Sequence, residues 1–221
     1  TSKTMTLISV TLVLAIFLFI AAPILTGWAS GYLDIRSMYD VQISSSYNDV
    51  YDEENLPSDD YEIVTNYLTE HDIETDYDCT FNLYLPKKDD FNNRVKYTFP
   101  VVAISLSDYN MIREMLGYEP ISLSENEFTT QWQTIATEEE RNSFLTEHTS
   151  VMTDAGELTI SGQPYYEEAI GETVYNSYTN VLYVFPDSVC EKLLPVMRNR
   201  YITTSKSISY ESARELEQAF S

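Results

Sequence analysis

VVAISLSDYNMIREMLGYEPISLSENEF, residues 101–128, changes its apolar period partway along. Val101 to Leu106 is a short, almost unbroken apolar run, as a buried strand requires, and it extends upstream to Val95 as a strand pair or one Pro-interrupted strand. From Ser107 the apolar positions become Ile112, Met115 and Leu116, the spacing of one helix face. Ser107 reads as the N-cap and Gly117 as the C′ residue. Pro120 to Thr134 then returns to strand material.

The same succession appears on both sides. Upstream, Tyr39 to Ser44 alternates as a half-buried strand. Ser58 caps a helix with Asp59, Asp60 and Glu62 in its first turn and Ile63, Val64, Tyr67 and Leu68 facing a core, and Asp78 to Leu85 is a second strand. Downstream, Thr137 to Glu140 forms a T-x-x-E capping box that opens a helix to about residue 147. Strands follow at 157–161, 172–175 and 180–185. Asp187 starts a helix with Val189, Leu193, Leu194 and Met197 inward, broken near Pro195. A short strand at 201–204 and an uncapped helix at 209–220 end the chain. Repeated strand-helix-strand units predict an α+β domain.

Ahead of this domain the sequence has another character. No charged residue occurs between Lys3 and Asp34, and Met5 to Leu25 (MTLISVTLVLAIFLFIAAPIL) is nearly all apolar. As a helix these residues measure about 31 Å, the thickness of a bilayer hydrocarbon core. The expectation is an N-terminal transmembrane helix with Lys3 on its cytoplasmic flank and Trp28 and Tyr32 at the opposite interface. A cleaved signal peptide is the rival reading, since Ala21, Ala22, Ala29 and Ser30 offer small residues for a peptidase, but signal cores are shorter. The segments expected are a flank 1–4, a span 5–25, a connector 26–38, a domain 39–207 and a stalk helix 208–221.

Beyond the span lie all 35 Asp and Glu and 12 of the 13 Lys and Arg, a net of −23. That excludes a binder of nucleic acid through its phosphates. Beside an anionic cytoplasmic leaflet such a domain is repelled, so the expectation is a cell-membrane protein with its bulk extracellular. Cys79 and Cys190 are too few for a disulfide framework and read best as buried small hydrophobes, with one bridge as the alternative. Two cysteines and no Asn-x-Ser/Thr sequon agree with a bacterial surface protein.

Signatures of chemistry are sparse. There is no phosphate-binding G-x-x-x-x-G-K-[ST] loop and no G-x-S-x-G elbow, so neither nucleotide hydrolysis nor that route to acyl transfer is expected of this chain, and no cofactor is implied. His71 and His148 lie where helices should end and belong to no zinc spacing. The acidic run Asp49, Asp52, Glu53, Glu54, Asp59 and Asp60 lacks the order of a Ca²⁺ loop. It reads first as a solvated loop and helix start, then as a weak cation site or a surface for a cationic ligand. Of 18 tyrosines most suit strands, but Tyr165, Tyr166, Tyr175 and Tyr178 flank turns and are ligand-contact candidates.

Three features taken together, the span KTMTLISVTLVLAIFLF, the strand YDVQI that follows it, and the run VVAISLSDYNMIREMLGYEPISLSENEF, resemble the FtsX-like permeases, the MacB-type membrane subunits of bacterial ABC transporters. The likeness is diffuse and runs from about residue 3 to residue 220. It implies a permease of several spans, with the domain inserted before the next one and SYESARELEQAF as the stalk back to the membrane. It also implies a cytoplasmic ATPase subunit as partner, a homodimer or pseudo-dimer, and a cationic peptide, lipid-linked precursor or cell-wall protein as ligand. Two other readings stand beside it: a single-pass extracellular binding module or adhesin, and, less favoured, a membrane-anchored enzyme.

Overall fold

The computed structural model describes residues 38–46, 58–92, 100–171, 179–206 and 208–219. The candidate span with Lys3, Trp28 and Tyr32, the acidic residues Asp49, Asp52, Glu53 and Glu54, the strand at 172–175, and Tyr175 and Tyr178 lie outside them. Among the described residues no helix is long and apolar enough to cross a membrane.

In chain order the elements are β1 (Val41–Ser46), α1 (Ser58–Glu70), β2 (Thr75–Leu85), the single turn α2 (Asp89–Asn92), β3 (Ala103–Ser105), α3 (Leu106–Met115), β4 (Glu127–Trp132), α4 (Glu138–Glu147), β5 (Ser150–Thr153), β6 (Gly156–Tyr166), β7 (Val181–Phe185), the single turn α5 (Asp187–Cys190), β8 (Leu194–Thr204) and α6 (Tyr210–Ala219). The strands form one mixed sheet in the order β1-β8-β2-β3-β7-β4-β6-β5. β3 with β7 and β4 with β6 are parallel, and the other neighbours are antiparallel. Tyr39–Ser221 form one compact unit distinct from residues 1–38. The mixed α and β architecture expected from the sequence is therefore present.

The sheet's interior strand β7, Val-Leu-Tyr-Val-Phe, is buried at all five positions because helices or loops cover both of its faces. Gln131 and Trp132 are successive residues of β4 and point to opposite faces. The Tyr109 hydroxyl of α3 donates to Gln131 Oε1, and Phe144 of α4 meets the Trp132 ring edge-on at 5.3 Å. The two helices thus lie on opposite faces. A core of Phe128, Tyr183, Phe185, Val189 and Leu193 fills one region, and Val64, Leu68, Ile202 and Leu216 join α1, α6 and β8 in another.

Several boundaries differ from expectation. Ser105, not Ser107, caps α3, its Oγ accepting from the Asp108 N–H at 3.2 Å. β3 leads straight into the helix, so the helix starts two residues earlier. Gly117 does take φ +77° past the C-cap Leu116, as a C′ glycine should. Residues 120–126 are irregular, and only 127–132 form a strand. The helix expected from Asp187 is one turn long, and Leu194 to Thr204 is strand throughout. β1 pairs with β8 only from Met197 onward, so Pro195 deprives no neighbour on that side of a donor. α6 has a cap after all: Ser209 Oγ accepts from the Ser212 N–H at 3.1 Å.

Candidate functional site

The tyrosine candidates sit in Tyr165-Tyr166-Glu167-Glu168, at and just past the end of β6. Alternate residues of a strand face opposite ways, and here each parity serves one arginine. Arg113 of α3 lies 5.0 Å from the Tyr166 ring centre and pairs with Glu168 Oε1 at 3.1 Å. Arg141 of α4 lies 4.6 Å from the Tyr165 ring centre and pairs with Glu167 Oε2 at 2.7 Å. Both arginines are buried at 9% exposure or less, which such a charge tolerates only when paired. Tyr165 and Tyr166 are therefore platforms for cations of the chain itself. They face opposite ways and share no surface.

The Arg113 arrangement is the more elaborate. Its Nε donates to the Glu119 carbonyl at 2.7 Å and its Nη1 to the Tyr109 hydroxyl at 3.3 Å. Tyr118 supplies another ring at 5.5 Å. Burial pushes the Tyr109 hydroxyl well above its ordinary value, so it remains a donor to Gln131. Burial also acts to raise the Glu168 carboxyl, but the hydrogen bond and charge of Arg113, with backbone N–H groups, outweigh it and leave Glu168 below the usual glutamate value. Asp108 moves the other way, raised chiefly by burial.

The histidines repeat one local device. His71 and His148 each bond through Nδ1 to the carbonyl four residues back, of Tyr67 and Phe144, at 2.9 Å. Each also stacks on that residue's ring, at 4.0 and 3.9 Å between centres. The aromatic-x-x-x-His spacing thus closes the ends of α1 and α4. Cys79 and Cys190 are free and buried. Burial holds the Cys79 thiol up at about 12 and raises Cys190 as well. Among the described residues no group of three or more His, Cys, Asp or Glu could hold a metal ion. Asp59 and Asp60 fall in the first turn of α1, as expected.

A cleft of about 460 Å³ opens where β5 approaches the connection after β2. Pro86, Pro100, Val101 and Val151 give it an apolar lining, and Lys87, Asp90, His148 and Ser150 give it polar groups. That combination suits ligand binding. No hydrogen bond joins His148 to Ser150 among the described residues. The sequence reading missed the cleft because its walls come from four separate segments whose spacing carries no signature. A second hollow, of about 510 Å³, lies between the end of α1 and the start of α6 and includes His71, Lys206 and Ser209.

No family model matches the chain, and no curated protein is found to match it.

Proposed function

We infer that the chain is part of a bacterial membrane permease of the FtsX-like, MacB type: one N-terminal span and the acidic extracytoplasmic domain after it. In this reading the domain engages a peptide, lipid-linked or protein partner at the outer face of the cell membrane, while a separate cytoplasmic ATPase subunit drives the motion. The observation that carries it is the place where the chain enters and leaves the domain. The Asp40 N–H donates to the Ile202 carbonyl at 2.9 Å, and the Thr204 N–H donates to Asp40 Oδ2 at 2.7 Å. A domain inserted between two spans must begin and end on one side, and here the first strand, β1, pairs with the last, β8, before α6 packs back against α1.

The uncharged run at 5–25 and the net of −23 beyond it support the membrane setting and the outward orientation. The test is the parent reading frame and its product. At least three further apolar runs of about 20 residues and co-purification with an ATPase are expected. A parent with no further span and no ATPase partner would discard the permease and leave the binding module.

A further inference from the structure

Among the described residues β5 is the last strand of the sheet and pairs with β6 on one side only. In an antiparallel ladder, alternate residues turn their N–H and C=O toward the partner and away from it. The Ile160 N–H donates to the Thr149 carbonyl at 3.0 Å, which sets the phase. Val151 and Thr153 therefore bond to β6, and Ser150 and Met152 direct their backbone groups outward. The outward row is used once, where the Asp154 N–H donates to the Pro86 carbonyl at 2.9 Å. Next to that bond lies the 460 Å³ cleft, which Ser150, Met152, Pro86 and Val101 all line. Among the described residues no hydrogen bond reaches the outward backbone groups of Ser150 and Met152.

Natural sheets guard open edges with charge, proline or short length; Ser-Val-Met-Thr carries neither charge nor proline, and its four residues leave two sets of outward backbone groups. We propose that this edge and the cleft beside it take up an extended cationic peptide as an added strand. The peptide backbone bonds to Ser150 and Met152, and one of its apolar side chains enters the cleft. This names the ligand class and docking mode of the outer domain, and it rests on the reading above only for where the domain meets its ligand.

Charge selects the occupant. Residues 39–221 carry 34 Asp and Glu against 11 Lys and Arg. Close to the edge, Asp90 offsets Lys87 in the cleft lining and Glu157 lies directly across the ladder from exposed Met152, so the acidic excess of the whole domain sets the sign. A second copy of the chain is the other natural occupant of an open edge, and it would set an equally acidic body against the first. A lysine-bearing strand meets the opposite sign.

The test uses the full-length chain in detergent micelles and a labelled octapeptide of alternating lysine and valine, read by fluorescence anisotropy. Two further probes carry N-methyl groups on one or the other alternate set of amides. Met152→Pro removes an outward N–H without touching a bond to β6. Expected are saturable binding by the parent peptide, about tenfold weaker binding by one N-methylated probe but not the other, and a similar loss in Met152→Pro. Absence of binding, equal binding by all three peptides, or a concentration-dependent dimer that Met152→Pro dissolves would overturn the proposal. Because the N-methylated probes act on the unaltered protein, they decide the matter even where Met152→Pro fails to fold. Span number and ATPase association do not enter this measurement, so its failure leaves the permease reading to its own test.

Discussion

Thr204 donates its backbone N–H to Asp40 Oδ2 at 2.7 Å, across 164 positions of sequence. The bond extends the β1–β8 ladder by one side chain and fastens the residue before β1 to the last residue of β8. Asp40→Ala should lower stability by about 1 kcal/mol, the usual worth of an exposed charge-assisted bond. Hydrogen exchange should show the Thr204 amide losing protection while β7 amides keep theirs. Unchanged exchange at Thr204 would show that the bond does not persist in solution.

An outward-facing domain can be tested with one new thiol. Ile135 is 72% exposed, whereas Cys79 and Cys190 are at 2% or less. Burial holds both native thiols protonated, Cys79 up to about 12, so neither should react at pH 8 until the protein unfolds. In intact cells Ile135→Cys should label with a membrane-impermeant maleimide and the unaltered protein should not. Labelling of Ile135→Cys only after lysis would place the domain inside.

Arg113→Ala should destabilise by about 2 kcal/mol, because it withdraws donors from the buried Tyr109 hydroxyl and the Glu119 carbonyl, while Glu168, partly exposed, is rehydrated. Arg113→Lys should recover little, since a point charge cannot serve Glu119, Tyr109 and Glu168 together. Urea midpoints compare the three proteins.

The Glu168 carboxyl is lowered in the folded state from its ordinary 4.5, mainly because the Arg113 hydrogen bond overrides burial. A lowered carboxyl contributes stability above its unfolded value, and that contribution disappears as pH falls through the folded value. Glu168→Gln should therefore be less stable than the unaltered protein near pH 7, and the gap should close as pH is taken below about 4.5. A gap independent of pH would remove the ion pair as its cause.

Gly171 has φ +99°, and a Cβ there would lie 2.9 Å from Tyr39 Cε2. Tyr39 is held by its hydroxyl bond to the Ile170 carbonyl at 2.7 Å and by stacking on Tyr201 at 4.2 Å, so it has little room to yield. Gly171→Ala should cost about 2 kcal/mol or more, from backbone strain and overpacking together. Thermal unfolding of Gly171→Ala and of the double variant with Tyr39→Ala separates them: the second change should relieve the contact but not the strain.

What the sequence disclosed depended on whether the signal was local. Half of the T-x-x-E box at Thr137 is realised, the Thr137 Oγ1 accepting from the Glu140 N–H at 3.2 Å while the Glu140 carboxylate accepts from Asn180 at 2.9 Å, and Gly117 terminates α3 as its position implies. Both depend on neighbours within a few residues. β8 was misread because Val189, Leu193, Leu194 and Met197 happen to follow a helical spacing, whereas the segment's partners, β1 and β2, lie more than a hundred residues upstream. Tertiary pairing overrode local pattern. The arginine clamps were illegible for the same reason. Tyr165 and Tyr166 could be picked out as an aromatic pair, but nothing near them announces that Arg113 and Arg141 would occupy their rings.

The adjacent course of β1 and the end of β8 has a mechanical corollary. If the two chain ends are drawn apart sideways, the ladder between them opens one bond at a time, like a zipper, at low force. If both are displaced together along the strand direction, β1 and β8 do not slide past each other, and the load passes to the long β2–β8 ladder in shear, where many bonds resist at once. The sheet is thus compliant to separation of the start of β1 from the end of β8 and stiff to their common movement. Force spectroscopy with handles at the two ends, pulled in each geometry, would read that difference directly.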